Sequence, residues 1–162
     1  MILGIPLWTL ASLHAVLGLT GLVAGCLMLV AMMGSHAAPR IAALFLSTTA
    51  IVAATGLLLP APPAVPSAGP GHALAVACLI VLVPTALAHY VHHFAGAWRG
   101  IYVAGSTALL LLNTFTAARQ LVKRIEFFDP LLGTPIEATL YTLVLIGPLA
   151  LGALAAAYFR PS

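Results

Sequence analysis

The stretch His89-Tyr-Val-His-His-Phe-Ala-Gly-Ala-Trp-Arg99 lies between two strongly apolar segments of the chain. It holds three of the six histidines, together with a glycine, a tryptophan and an arginine. A short connection between two long apolar helices makes them antiparallel neighbours. The stretch therefore predicts a helical hairpin, and we expect Gly96 and Gly100 to permit its turn.

The composition around this hairpin is that of a membrane protein. Of the 162 residues, 62% are hydrophobic and 6% are charged, and the mean hydropathy is +1.15. Soluble domains carry about 25% charged residues, so this chain cannot build a water-facing surface. The formal net charge of +3 is small and scattered, which argues against nucleic acid as a partner. We expect the lipid bilayer to surround the chain.

Five segments are long and apolar enough to cross a membrane, which takes about 20 helical residues. The sequence predicts a single all-α transmembrane domain, residues 1–162, with spans at about 7–33, 41–59, 72–93, 101–122 and 138–159. Pro84 and Pro148 each remove a backbone hydrogen bond and predict a kink. The proline-rich segment 60–71 predicts a non-helical surface strap.

Two predicted spans carry a distinctive face. Small residues and one histidine share a face of the first span, which lets another helix approach closely; they are Ala11, His14, Gly18, Gly21 and Gly25. The fourth span carries a polar stripe that we expect to face protein or water; it consists of Tyr102, Ser106, Asn113, Thr116, Gln120 and Lys123.

The count of basic residues does not orient the spans. Arg119, Lys123 and Arg124 fall on one side, and Arg40, Arg99 and Arg160 fall on the other. Because the two sides are equal, the positive-inside rule favours neither orientation. The uncharged strap 60–71 suits an exported loop and favours an amino terminus outside. All three acidic residues lie in the connector 125–137, which we expect along the membrane surface.

His14, His89 and His93 are the candidate cofactor ligands, with haem b, quinone or copper as the group. Two axial histidines must reach a haem iron from the same depth. The helical rise places His14 and His89 about 10 Å apart in depth, so a haem within one chain is strained. For His14 the structural alternative is a hydrogen bond to a neighbouring helix.

His36, His89 and His93 are the candidate metal ligands. His89 and His93 are four residues apart and are expected on one helix face, as in zinc sites. His36, with Met32 and Met33, is expected on the same membrane side and could complete a copper- or zinc-like shell. The structural alternative is an interfacial cluster in which Trp98 and Arg99 anchor the hairpin at headgroup depth.

The residue pattern favours no known catalytic site. The acidic residues lie outside the predicted spans, and the sequence contains no nucleophile elbow and no phosphate-binding glycine motif. Cys26 and Cys78 lie inside apolar segments and are predicted to be buried free thiols. These features lean against an enzyme.

Several short motifs resemble a known family. They are His93-Phe-Ala-Gly-Ala-Trp-Arg-Gly-Ile-Tyr102, Asn113-Thr-Phe115, Gln120-Leu-Val-Lys123, Pro135-Ile-Glu137, and the spaced series Arg40, Ala43-Leu-Phe45, Thr49, Thr55-Gly56 and Pro60. On these motifs the chain resembles small, uncharacterised bacterial inner-membrane proteins with several helices. The resemblance implies a multi-pass inner-membrane protein and no particular reaction. His89 and His92 are outside the family pattern, so a metal site there would be specific to this chain.

The sequence thus predicts a small, non-catalytic accessory or structural subunit of a larger membrane complex, respiratory or photosynthetic. One alternative is a membrane redox protein that binds haem, quinone or copper through its histidines. A second alternative is a small transporter that uses the polar stripe around Asn113.

Overall fold

The computed structural model describes residues 6–36, 38–58 and 70–160, with only the backbone at positions 7 and 70. The described residues form five α-helices and one 3₁₀ helix, without a strand. The helices are α1 (Leu7–Met33), α2 (Pro39–Leu58), α3 (Pro70–Tyr90), α4 (Trp98–Val122) and α5 (Pro135–Tyr158), and the 3₁₀ helix is Glu126–Leu131. All five α-helices are long and apolar enough to cross a membrane. The predicted all-α, multi-pass architecture is confirmed.

Three of the helices begin at a proline. α2, α3 and α5 begin at Pro39, Pro70 and Pro135, each a few residues before the predicted start. Proline suits the first helical position because its fixed φ is already helical and it has no N–H to leave unpaired. Most of the predicted strap 60–71 lies outside the described residues, and its last two residues belong to α3.

The predicted α3–α4 hairpin is present, with a different turn. α3 ends at Tyr90, and the Phe94 N–H bonds to the Ala88 carbonyl at 3.1 Å. The backbone then adopts left-handed φ values at His93 (46°), Phe94 (64°) and Gly96 (55°). Gly96 therefore serves the turn as predicted. The prediction for Gly100 is wrong, because this residue lies inside α4.

Helices α1 and α4 are the best connected in the bundle. α1 packs on α2, α4 and α5, and α4 packs on α1, α3 and α5. The apolar core between them contains the fully buried residues Met28, Leu29, Met32, Phe45, Leu109 and Leu110. The outward sides of the helices carry exposed leucines, valines and isoleucines, as lipid contact requires.

The small-residue face of α1 is used within the chain. A Cβ at Gly21 would meet Thr48 Oγ1 at 2.8 Å, and a Cβ at Gly25 would meet Phe45 Cε2 at 2.7 Å. Gly18, by contrast, faces open space. The predicted close approach is confirmed at Gly21 and Gly25, where α2 and α4 fill the face.

Candidate functional site

Two of the six histidines are buried in the bundle. His14 and His89 are each 8% exposed. His36 and His93 are exposed, and His72 and His92 are half-buried. The two buried histidines are the positions at which an imidazole can be shielded from water, and they differ in their surroundings.

His14 forms a hydrogen bond between α1 and α2. Its Nδ1 lies 2.8 Å from Thr55 Oγ1, and the same hydroxyl lies 2.8 Å from the Ile51 carbonyl. With its proton on Nδ1, His14 donates to this hydroxyl, whose single proton then goes to the Ile51 carbonyl. Gly56 leaves room for the ring, whose Cε1 would be 3.6 Å from a Cβ there. The hydrogen bond expected as the structural alternative for His14 is present.

His89 lies in an aromatic cluster at the other end of the bundle. Its ring stacks on Tyr102 with centroids 5.3 Å apart, and Phe94 lies 5.4 Å away. Phe94 and Tyr102 in turn contact Phe159 beyond the end of α5. The Tyr102 hydroxyl donates to Met28 Sδ at 3.3 Å. The His89 Nδ1 is buried and has no partner among the described residues.

The two buried histidines are too far apart for one metal centre. The His89 cluster contacts α1 at Met28, fourteen positions after His14, and fourteen positions of helix span about 21 Å. This separation has the direction predicted from the sequence and is about twice the predicted size. His14 and His89 cannot both ligate the iron of one haem.

The expected pairing of His89 with His93 on one helix face is wrong. α3 ends at Tyr90, and His93 lies in the turn with its side chain exposed. The left-handed residues redirect the chain, so Phe94 rather than His93 packs beside His89. Among the residues that the structure describes, no three His, Cys, Asp or Glu side chains form a possible metal site.

The neighbouring His92 holds the turn. Its ring stacks on Trp98 with centroids 3.7 Å apart and an interplanar angle of 6°. A planar stack across the turn fixes the start of α4 relative to the end of α3.

The polar stripe of α4 faces protein, as predicted, at Tyr102, Ser106 and Asn113, whereas Lys123 at its end is exposed. Tyr102 and Ser106 are fully buried, and Asn113 donates from Nδ2 to Thr49 Oγ1 on α2 at 3.0 Å. The Asn113 amide thus bonds to another helix of the chain. This residue therefore gives no support to the transporter alternative. Cys78 is a buried free thiol as expected, whereas the free thiol Cys26 is only half-buried.

Two arginines meet at the end of α5, a feature that no sequence pattern predicted. Arg99 and Arg160 each donate from Nη1 to the Phe159 carbonyl at 3.1 Å. Nearby, Ser35 donates to the Tyr158 carbonyl at 3.1 Å. These contacts place the α1–α2 turn, the α3–α4 turn and the end of α5 together, at what we call the cationic end. The arginines are 61 positions apart, and no local sequence pattern connects residues at that separation.

No protein-family model, curated protein or solved structure matches the chain. The resemblance to small bacterial inner-membrane proteins therefore stays a prediction from the sequence.

Proposed function

We propose that the protein is a non-catalytic accessory subunit of a larger complex, respiratory or photosynthetic, in a bacterial inner membrane. Its role is to pack against a partner subunit and to hold that partner's helices in place.

One observation carries this proposal: three polar side chains deep in the bundle link helices of the same chain. His14 bonds to Thr55 across α1 and α2, and Asn113 bonds to Thr49 across α4 and α2. Tyr102 bonds to Met28 across α4 and α1. Hydrogen bonds between membrane helices contribute about 0.6 kcal/mol each on average. Polar groups used in this way support a rigid structural part rather than an acid–base site.

The outer face of α1 is the surface that we assign to the partner. Val16, Val23 and Val30 recur every seven residues and are 62%, 51% and 50% exposed. β-Branched residues at this interval are typical of a helix that packs against another helix. Beside them a groove of about 360 Å³ runs between α1 and α2. The glycine face of α1 is not this surface, because the chain's own helices cover it.

Copurification from mild detergent at native expression tests the proposal. We expect the wild-type protein to bring a stoichiometric partner subunit with it. Val23→Trp should weaken that association by about tenfold or more, roughly 1.4 kcal/mol, because the indole blocks the groove. Ile80→Trp is the matched control, since Ile80 is 67% exposed on α3, away from the groove.

Two results would contradict this assignment. A clean monomer without any partner at native expression would rule out the accessory role. A partner retained equally by wild type and both variants would keep the role and rule out the α1 surface.

A second candidate function, a membrane redox protein, is favoured by the unpartnered Nδ1 of His89. Of the three groups considered, a quinone fits best, because its carbonyl needs a single N–H donor. A bis-histidine haem needs a second imidazole at the same depth, and His14 lies about 21 Å away.

An optical spectrum and metal analysis of the purified protein test this second candidate. The absence of a Soret band and of stoichiometric metal would eliminate haem and copper. Quinone extracted from wild type and not from His89→Ala would favour a quinone site. His72→Ala is the matched control, because His72 lies at the start of α3, far along the helix from His89.

A further inference from the structure

The strongest unexplained feature of the bundle is the pair of arginines at the cationic end. Arg99 and Arg160 share one acceptor, the Phe159 carbonyl, at 3.1 Å each. Their guanidinium groups are therefore within about 6 Å of each other, where like charges repel. Each guanidinium has five N–H donors, and the shared carbonyl takes one from each.

No acidic side chain is present at this end to balance the charge. The three acidic residues of the sequence are Glu126, Asp129 and Glu137, which lie between α4 and α5 or at the start of α5. These positions are at the opposite end of the bundle. Arg40 follows the α1–α2 turn and adds a third positive charge to the cationic end. An anion bound here from outside the chain would lower the repulsion.

A groove leads from Arg99, one member of the arginine pair, into the apolar part of the bundle. It has a volume of about 450 Å³ and begins at Arg99 and Phe159. Its walls are built from Gly100, Ala104 and Ala108 on α4 and from Leu149, Ala153 and Ala156 on α5. Thr107 and Gly152 form its floor, where a methyl group on Gly152 would overlap the threonine.

The length of the groove fits one leaflet of a bilayer. From Arg99 to Leu111, its deepest lining residue on α4, twelve helical positions span about 18 Å. Half of a bilayer's hydrocarbon core is about 15 Å. A transmembrane helix of a partner needs contact along the whole membrane, whereas an acyl chain ends within one leaflet.

We propose that this groove binds an anionic glycerophospholipid, with its phosphate between Arg99 and Arg160 and an acyl chain along α4 and α5. Arginine is suited to the phosphate because its planar fork donates two parallel hydrogen bonds. Basic pockets between membrane helices are a known mode of anionic lipid recognition. The surface is distinct from the α1 face assigned to a partner subunit.

Native mass spectrometry of the detergent-solubilised protein, titrated with phosphatidylglycerol or phosphatidylcholine, tests the proposal. We expect one phosphatidylglycerol to be retained with a preference of roughly tenfold or more over phosphatidylcholine, the discrimination expected from two arginines. The double variant Arg99→Gln/Arg160→Gln should lose this preference. Arg40→Gln is the matched control: it removes one charge from the same end without touching the groove, and should retain the preference.

A second variant separates the groove from the charges. Ala104→Phe/Ala153→Phe fills the groove and leaves both arginines in place, so it should also stop retaining lipid. Circular dichroism and thermal unfolding of each variant check that the bundle is intact. Equal retention of both lipids by wild type would overturn the proposal, and so would full retention by the groove-filled variant. Loss of the preference in Arg40→Gln to the same extent as in the double variant would overturn it too, since net charge alone would then account for binding.

Discussion

Some of the polar side chains in this bundle are kept in apolar surroundings by one specific partner. His14 is the clearest case, because its Nδ1 bonds to the Thr55 hydroxyl, which also lies within bonding distance of the Ile51 carbonyl. A buried polar group left without a partner costs more than the hydrogen bond itself contributes. Breaking this contact therefore lowers the stability of the fold mainly because His14 is left buried without a partner.

Thr55→Val tests this dependence. The change keeps the shape of the side chain and leaves His14 Nδ1 unpaired, so we expect the free energy of unfolding to fall by roughly 1–2 kcal/mol. Thr20→Val is the control, because Thr20 bonds only to the carbonyl of Val16 on its own exposed helix face. Its effect should stay within about 0.5 kcal/mol. Denaturant unfolding in detergent micelles measures both, and equal losses would contradict the role assigned to His14.

At the residue scale the sequence predicted His14 better than His89. The bond from His14 to a neighbouring helix follows from its place on a small-residue face. The environment of His89 does not, because Phe94 reaches it through left-handed φ values at His93 and at Phe94 itself. Phe159 reaches the same cluster from the last helix. Both contacts depend on tertiary structure that local spacing cannot reveal.

At the scale of helices, the close approach of α1 to its neighbours depends on individual glycines. Gly25 faces Phe45 and Leu110, both fully buried. Neither side chain has free space into which it can move, because the core around them is closely packed. Gly18 lies on the same helix and faces open space.

Gly25→Ala and Gly18→Ala form a matched pair on one helix. At Gly25 the added methyl would lie 2.7 Å from Phe45 Cε2 and 2.9 Å from Leu110 Cδ1. Overpacking of this kind costs about 1–3 kcal/mol, so we expect stability to fall. Gly18→Ala meets nothing and should be neutral or stabilising by up to about 1 kcal/mol. Thermal unfolding followed by circular dichroism distinguishes the two, and similar melting temperatures would contradict the packing described here.

The number and order of the helices could be predicted from the sequence, whereas their ends could not be predicted as closely. The helices can be located from hydropathy because each apolar segment is long enough to span a membrane. The end of α3 depends on a turn hydrogen bond from Phe94 to Ala88. Glycine is common in turns, but Gly100 lies in α4. The turn is completed before it by Gly96 and two non-glycine residues with left-handed φ.

For the whole molecule, the two ends of the bundle carry equal numbers of basic residues and different net charges. Arg40, Arg99 and Arg160 lie at the cationic end without an acidic side chain. At the other end, Arg119, Lys123 and Arg124 share the surface with all three acidic residues. The anionic cytoplasmic leaflet attracts exposed basic groups by about 1 kcal/mol each. We therefore expect the cationic end to face the cytoplasm, in agreement with an amino terminus outside.

Cysteine labelling in intact cells tests this orientation. In a chain with Cys26→Ala and Cys78→Ala, single cysteines are placed at Ala95 in the α3–α4 turn or at Phe127, which is 79% exposed. A membrane-impermeant maleimide should label Phe127→Cys directly and Ala95→Cys only after permeabilisation. The reverse pattern would show that the net charge of each end does not determine the orientation.

The hydrogen bond from Ser35 to the Tyr158 carbonyl joins residues 123 positions apart, and this separation has a consequence for biosynthesis. Ribosomes extend a chain at about 5–20 residues per second, so Tyr158 follows Ser35 after roughly 6–25 s. During that interval α2, α3 and α4 are made in turn, and α5, the last neighbour of α1, is still incomplete. During synthesis, the side of α1 that α5 later covers is therefore open to whatever insertion factors or other nascent helices are nearby.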